Sequence, residues 1–178
     1  VERMRAHLTA GLDAGAWGLS AGLDYKPGYY ATTEDVIRIV DVARSARTFF
    51  TNHDRVTPES NFSSIAGMAE TIAIGARSGL TPVITHMKVQ GREQGRAADI
   101  LKQMRDATDR GTYTAADVYP YLAGQTGLVS LIIPGWAQDG GREAMLQRFA
   151  DPAQRQRIVR EAEEAMNARF GGAAGIYL

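Results

Sequence analysis

Three histidines and no cysteine narrow the chemistry open to these 178 residues. His86 closes the run Thr81-Pro82-Val83-Ile84-Thr85-His86-Met87-Lys88. Pro82 cannot continue a helix, and Val83, Ile84 and Thr85 favour a strand. An imidazole and an ammonium therefore stand at the end of an apolar strand, the face where an α/β barrel carries its active site. Two readings of His86 stay open: a functional residue at a strand end, or a core histidine hydrogen-bonded to a neighbour. The pattern recurs in Asn52-His53-Asp54-Arg55, after the β-prone Thr48-Phe49-Phe50-Thr51. It recurs again in Asp117-Val118-Tyr119-Pro120-Tyr121, after an alternating stretch from Thr112. His7 lies among Arg3, Arg5 and Thr9 and reads as a surface residue. Ser20 has no visible base partner, so no serine nucleophile is expected.

The elements that must position these groups follow from periodicity and punctuation. Val1 to Ala14 reads as a helix with Met4, Leu8 and Leu12 on one face. Trp17 to Ala21 reads as a short strand running into a Gly/Pro loop. That loop carries Tyr25, Tyr29 and Tyr30, and reads either as a tyrosine-rich surface or as a binding loop after a barrel strand. Thr32 caps a helix, with Asp35 completing a box, through about Ala46. Further helices are expected over about Ser63–Ser78, stopped by Gly79, and over about Arg96–Arg110, stopped by Gly111. Strand and helix alternate, which argues for a parallel sheet with right-handed crossovers. The alternation does not separate a closed barrel from an open doubly wound sheet. No GxGxxG follows a strand and no GxxxxGK[ST] occurs, which disfavours a nucleotide-binding open sheet. After Tyr121 the rhythm breaks. A helix over about Arg142–Phe149 precedes another with Asp151 as cap and Pro152 at its first position, running to about Phe170. Its mixed charges suit a solvated surface. Ile176-Tyr177-Leu178 reads as the first residues of a further strand.

Composition bounds the functional class. Hydrophobic residues make up 44% and charged residues 22%, ordinary for a soluble globular protein. Lys and Arg number 20 and Asp and Glu 20, so net charge gives no argument for nucleic acid or an anionic membrane. No apolar run approaches the roughly 18 residues of a membrane span. No signal peptide is visible at Val1, although the chain opens inside a helix-like segment. Without cysteine there are no disulfides or thiolate ligands, which fits a reducing, cytoplasmic setting.

Four stretches together resemble one family. They are the run from Gly15 to Gly28 (Gly-Ala-Trp-Gly-Leu-Ser-Ala-Gly-Leu-Asp-Tyr-Lys-Pro-Gly), Asn52-His53-Asp54-Arg55, Ile84-Thr85-His86-Met87-Lys88, and Asp117-Val118-Tyr119-Pro120-Tyr121. Their order and spacing are similar to the N-acyl-D-amino-acid deacylases (D-aminoacylases) of the amidohydrolase superfamily. The resemblance implies an α/β fold, a partial (β/α)₈ TIM barrel of the metal-dependent amidohydrolase type. It implies hydrolysis of the amide of an N-acyl-D-amino acid to a carboxylate and a free D-amino acid, assisted by one or two zinc ions. His86, at the fifth-strand position, is implied as a metal ligand. Tyr25 is implied as a donor to the developing oxyanion, and Arg55, Lys88 and His53 as substrate-binding residues. Asp117 is implied to orient a ligand from behind.

The departures shape the remaining expectations. Asn52 stands where the family usually has threonine before the fourth-strand histidine. The His-x-His pair of the first strand and the aspartate of the eighth are not in this sequence, and Thr112 to Tyr121 supplies no sixth-strand histidine. Residues 1–178 are therefore expected to form part of one catalytic barrel domain. They would cover about the third to sixth β/α units plus a helical segment over residues 134–170. The expected partners are a small-molecule substrate and the remainder of the barrel, with no nucleic acid and no membrane. Open sheet edges would leave such a piece sticky and inactive alone. The rival readings are another amidohydrolase, dihydroorotase-like or isoaspartyl-dipeptidase-like, and a non-catalytic α/β binding domain or remnant.

Overall fold

A computed structural model describes residues 1–177. Four parallel strands form one sheet: β1 (Gly18–Gly22), β2 (Phe49–His53), β3 (Thr81–Ile84) and β4 (Ala115–Ala116). Their order in the sheet is β1-β2-β3-β4. Each crossover thus adds the next strand on the same side. A doubly wound sheet reverses direction at a switch point, whereas a barrel does not. The described strands contain no such switch point, and their order is that of a barrel segment.

The crossovers carry α2 (Thr33–Val40), α3 (Ser64–Ser78) and α4 (Ala97–Asp109), with α1 (Glu2–Asp13) ahead of β1. The Thr32–Asp35 capping box forms as the sequence suggests, and Gly79 ends α3 in the left-handed conformation. The helix expected through Ala46 instead tightens into a 3₁₀ turn over Asp41–Ala46. Leu19, Phe50, Pro82 and Ile84 point to the helical side and are buried. Leu19 and Phe50 pack with Val36, Ile37, Val40 and Ile74, while Ile84 packs with Ile65, Met68, Ile72 and Ile100. Contact between α3 and β3 is close enough that a Cβ on Gly75 would meet the Pro82 ring at 2.6 Å.

The strand expected over Thr112–Val118 shrinks to Ala115–Ala116, yet its backbone pairing continues at the end that matters. Asp117 N–H donates to the Ile84 carbonyl at 3.1 Å, and Met87 N–H donates to the Asp117 carbonyl at 2.8 Å.

The chain divides into two compact units. The sheet unit comprises Val1–Val89 and Glu93–Pro120; the second comprises Gln90–Arg92 and the chain from Tyr121 onward. The second unit contains α5 (Leu128–Ile132), α6 (Gly135–Gln138), α7 (Gly141–Ala150) and α8 (Pro152–Phe170). Asp151 caps α8 by accepting from Gln154 N–H at 2.7 Å, with Pro152 at its start. Ile158, Ala162, Ala165 and Ala168 form its buried stripe. Ile176 and Tyr177 adopt no strand, and Leu178 lies outside the described residues. No described helix is long and apolar enough to cross a membrane.

Candidate metal and substrate site

The strand register aligns the chemistry. Gly22 pairs with His53, and Asn52 with Ile84, so His53 and His86 leave the sheet at the C-terminal ends of adjacent strands. Side chains alternate along a strand. His53 therefore shares a face with Phe49 and Thr51, opposite the helix-facing Phe50 and Asn52. Leu23 N–H donates to the His53 carbonyl at 3.1 Å and Thr85 N–H to the Asn52 carbonyl at 3.4 Å, which binds the three strand ends together.

The two imidazoles meet. His86 Nε2 lies 2.8 Å from His53 Nδ1, with the rings edge to face at 4.4 Å between centroids. Lys88 Nζ lies 3.0 Å from His86 Nδ1 and donates to the His86 carbonyl at 2.9 Å. It also sits 5.2 Å from the centroid of the Tyr119 ring. Burial first, then the Lys88 ammonium, hold the His86 imidazole below its ordinary pKa, so it is neutral at neutral pH.

The backbone of His86 is fixed by unusual means. Its φ of 44° is left-handed, a conformation that disfavours side-chain-bearing residues. Asp117 Oδ1 accepts the His86 N–H at 2.5 Å and holds this turn. Asp117 thus acts on the backbone of His86, while Lys88 occupies the imidazole. The Tyr25 ring lies against His53, 4.4 Å between centroids and tilted.

Arg55 is drawn elsewhere. Its Nε and Nη2 donate to the Glu70 carboxylate at 3.0 and 3.2 Å, and Nη1 and Nη2 donate to the carbonyls of Tyr29 and Ala31 at 2.8 and 2.9 Å. This guanidinium braces the loop after β1 against α3, a different task from the substrate carboxylate expected for it.

Two residues escaped sequence reasoning. Asp24 is buried; its Oδ1 accepts from Val56 N–H at 2.8 Å and its Oδ2 lies 3.9 Å from His53 Nε2. The other is Asp54, whose Oδ1 accepts from Thr71 Oγ1 at 2.5 Å, while Thr71 Oγ1 accepts from Asn52 Nδ2 at 2.8 Å. The only sequence signal for Asp24 was an acid at the mouth of a small-residue strand.

The residues present fit a zinc ion in part. Neutral imidazole is a zinc ligand, and two tetrahedral ligands at about 2.0–2.1 Å from zinc stand roughly 3.3 Å apart. His53 Nδ1 and His86 Nε2 are already within about half an ångström of that spacing. Among the described residues no group of three or more His, Cys, Asp or Glu converges. The described residues thus bring together two imidazoles at close to the spacing of a ligand pair.

Comparison with known proteins gives the pair its context. No family model matches the chain. It is 32% identical over 130 residues to an N-acyl-D-glutamate deacylase of Alcaligenes xylosoxydans xylosoxydans, covering 72% of this chain and 25% of that protein. A D-aminoacylase of the same organism is also 32% identical, over 127 residues, covering 71% and 25%. Among solved structures, the N-acyl-D-glutamate deacylase of Bordetella bronchiseptica superposes with a TM-score of 0.60 at 33% identity, covering 67% of this chain and 25% of that one. That structure is complexed with zinc and a phosphonate mimic of the tetrahedral intermediate. A D-aminoacylase studied for its binuclear metal centre superposes at 0.63 and 26% identity, covering 74% and 28%. The chain spans about a quarter of the length of these relatives. By sequence and by fold, the chain belongs to the N-acyl-D-amino-acid deacylase (D-aminoacylase) family of amidohydrolases and represents a segment of it.

Proposed function

We propose that this segment forms part of a zinc-dependent hydrolase that cleaves N-acyl-D-amino acids to a carboxylate and a free D-amino acid. The observation that carries the reading is the convergence of His53 Nδ1 and His86 Nε2 at 2.8 Å, at the C-terminal ends of neighbouring parallel strands. The family resemblance implied His86 as a metal ligand; the 2.8 Å approach of His53 supports taking it as the companion ligand, in place of a substrate-binding role. The remaining ligands come from barrel segments outside this chain. When bound, the metal supplies Lewis-acid polarisation of the amide carbonyl and a more acidic water.

The protein's own groups divide the other tasks. Lys88, a point charge beside the site, binds the substrate carboxylate. The Tyr25 hydroxyl donates to the oxyanion as it develops. Asp117 keeps His86 in its turn, and Arg55 steadies the loop that carries Tyr25. The substrate is a small molecule, and a cytoplasmic setting fits the cysteine-free sequence.

The test has two parts. Zinc titration of the chain should show binding that His53→Ala and His86→Ala each abolish. Protein carrying this segment within its whole barrel should hydrolyse N-acetyl-D-glutamate or another N-acetyl-D-amino acid, and lose activity to a chelator. Zinc uptake unchanged in both alanine variants, or hydrolysis that survives chelation, would sink the reading.

A further inference from the structure

Both chain neighbours of His53 are tied to one hydroxyl. Asn52 Nδ2 donates to Thr71 Oγ1 at 2.8 Å, and Thr71 Oγ1 donates to Asp54 Oδ1 at 2.5 Å. Asn52 and Asp54 thus turn to α3, while the ring between them turns to the opposite face of the sheet and meets His86. Thr71 and Asn52 are fully buried. A helical threonine ordinarily returns its hydroxyl to the carbonyl four residues back. Here that carbonyl, of Gly67, stands 3.5 Å away, at the limit of a hydrogen bond, and the shorter bond goes to Asp54. Gly67 lies one turn before Thr71 on the same face of α3, and a Cβ there would meet the Arg55 carbonyl oxygen at 2.2 Å. This face of α3 is fitted to the chain leaving β2: the glycine admits the backbone of Arg55, and the hydroxyl grips the residues on either side of His53.

Packing alone does not explain Asn52. Its Oδ1 is buried with no hydrogen-bond partner among the described residues. An unpaired buried acceptor destabilises a fold, whereas an apolar side chain of similar size does not. What the amide contributes is the bond from Nδ2 to Thr71. A strand residue swings its side chain only by rotating the peptide planes before and after it, and anchoring Asn52 and Asp54 to one point restrains both. We infer that Thr71 is a positioning residue for His53: its hydroxyl clamps the residues before and after His53 against α3 and so holds the imidazole beside His86. A ligand pair must keep its atoms within about half an ångström of productive geometry, which side chains outside the ligand shell enforce. The zinc part of the inference rests on the reading above; the ring-position part does not.

The experiment separates the two. NOE contacts between the carbon-bound ring protons of His53 and His86, in the metal-free 178-residue chain at one fixed pH, report ring position; zinc titration reports the ligand pair. Thr71→Val keeps the shape of the side chain and removes the hydroxyl. Asn52→Leu removes one arm of the clamp together with the unpaired oxygen, so it should be as stable as wild type or more so. Both variants should weaken the His53–His86 contacts and lower zinc affinity about tenfold, and Thr71→Ser, which keeps the hydroxyl, should retain both near wild type. Loosened rings in an undiminished fold is a result that a merely structural residue would not give. A folded Thr71→Val or Asn52→Leu chain with wild-type ring contacts and zinc affinity overturns the inference. The wild-type chain supplies a test that needs no variant: the Thr71 hydroxyl proton should exchange slowly enough to be seen, with a cross-peak to the Asn52 side-chain amide, and a hydroxyl in fast exchange overturns the inference too. Failure of the metal reading registers separately, as ring contacts that weaken in both variants beside a wild-type chain that takes up no zinc.

Discussion

At Asp54, burial outweighs every contact that favours the charged carboxylate. The Thr71 hydroxyl and the Lys88 ammonium both favour ionisation, yet desolvation pushes the acid up to about 7. The folded protein thus holds this proton more tightly than the unfolded chain does, where an aspartate titrates near 3.9. The sign follows: the stabilisation is fully present below about pH 4 and is lost as pH rises toward 7. Three pKa units correspond to at most about 4 kcal/mol. Urea unfolding at acid and mildly alkaline pH should show wild type losing stability between them, and Asp54→Asn should flatten that slope. An unchanged slope in Asp54→Asn assigns the pH dependence elsewhere. His86 moves the opposite way. Its lowered pKa leaves the nitrogen open at neutral pH, so zinc binding should fall as acid protonates the ring. Sequence showed both histidines as polar strand ends. It did not show that they face one another, because that depends on register and on a left-handed turn at His86. Asp24 was invisible for the same reason: its approach to His53 depends on how the loop after β1 folds back over the end of β2.

At the scale of elements, the strut formed by Arg55 and Glu70 joins three pieces. Glu70 on α3 accepts from Arg55 and from Thr33 Oγ1 at 2.7 Å, while Arg55 holds the carbonyls of Tyr29 and Ala31. Both charged side chains are largely buried, at 18% and 15% exposure. Arg55→Ala therefore strands a buried carboxylate and removes the donors from two carbonyls. It should cost about 3–5 kcal/mol, against a smaller loss for Glu70→Gln, whose single amide oxygen still accepts from Arg55 Nη2 and Thr33 while only the Arg55 Nε bond is lost. Chemical denaturation of the two variants checks the order; an Arg55→Ala chain as stable as wild type would remove the strut from the account. The helix ends were legible because their signals are local: Thr32 with Asp35, Gly79, and Asp151 with Pro152. The length of β4 was not, since alternation from Thr112 to Val118 states a preference for extended chain. Whether a strand is paired depends on a neighbour, and here regular pairing covers only Ala115 and Ala116 with Val83 and Ile84.

At the scale of the molecule, the sheet presents two faces of different character. One is covered by helices and holds the core. On the other, the register lines up Ser20, Thr51, Val83 and Ala115 in one row, none of them buried. Below that row Phe49 and the 86% exposed Trp17 border a hollow of about 550 Å³ that Val83 and Ala115 also line. In a closed barrel this face is packed by layers of side chains from the other strands. Among the described residues β1 pairs with β2 alone and β4 with β3 alone, which leaves two edges with unpaired backbone groups. Alternation of strands and helices made the parallel sheet legible, but the uncovered face emerges only once strand order is known. Open edges beside a partly apolar, uncovered face favour association between chains. Sedimentation velocity of the 178-residue chain should therefore show a weight-average coefficient that climbs with concentration. Val83→Lys, which puts an inward-pointing charge in the middle of the row, should suppress the climb more than Val159→Lys on the exposed surface of α8. Equal suppression by the two would assign the association to general surface charge. A chain that stays monomeric at every concentration would show that this face and its edges are protected, and the barrel-segment account of the sheet would then need a different source of cover.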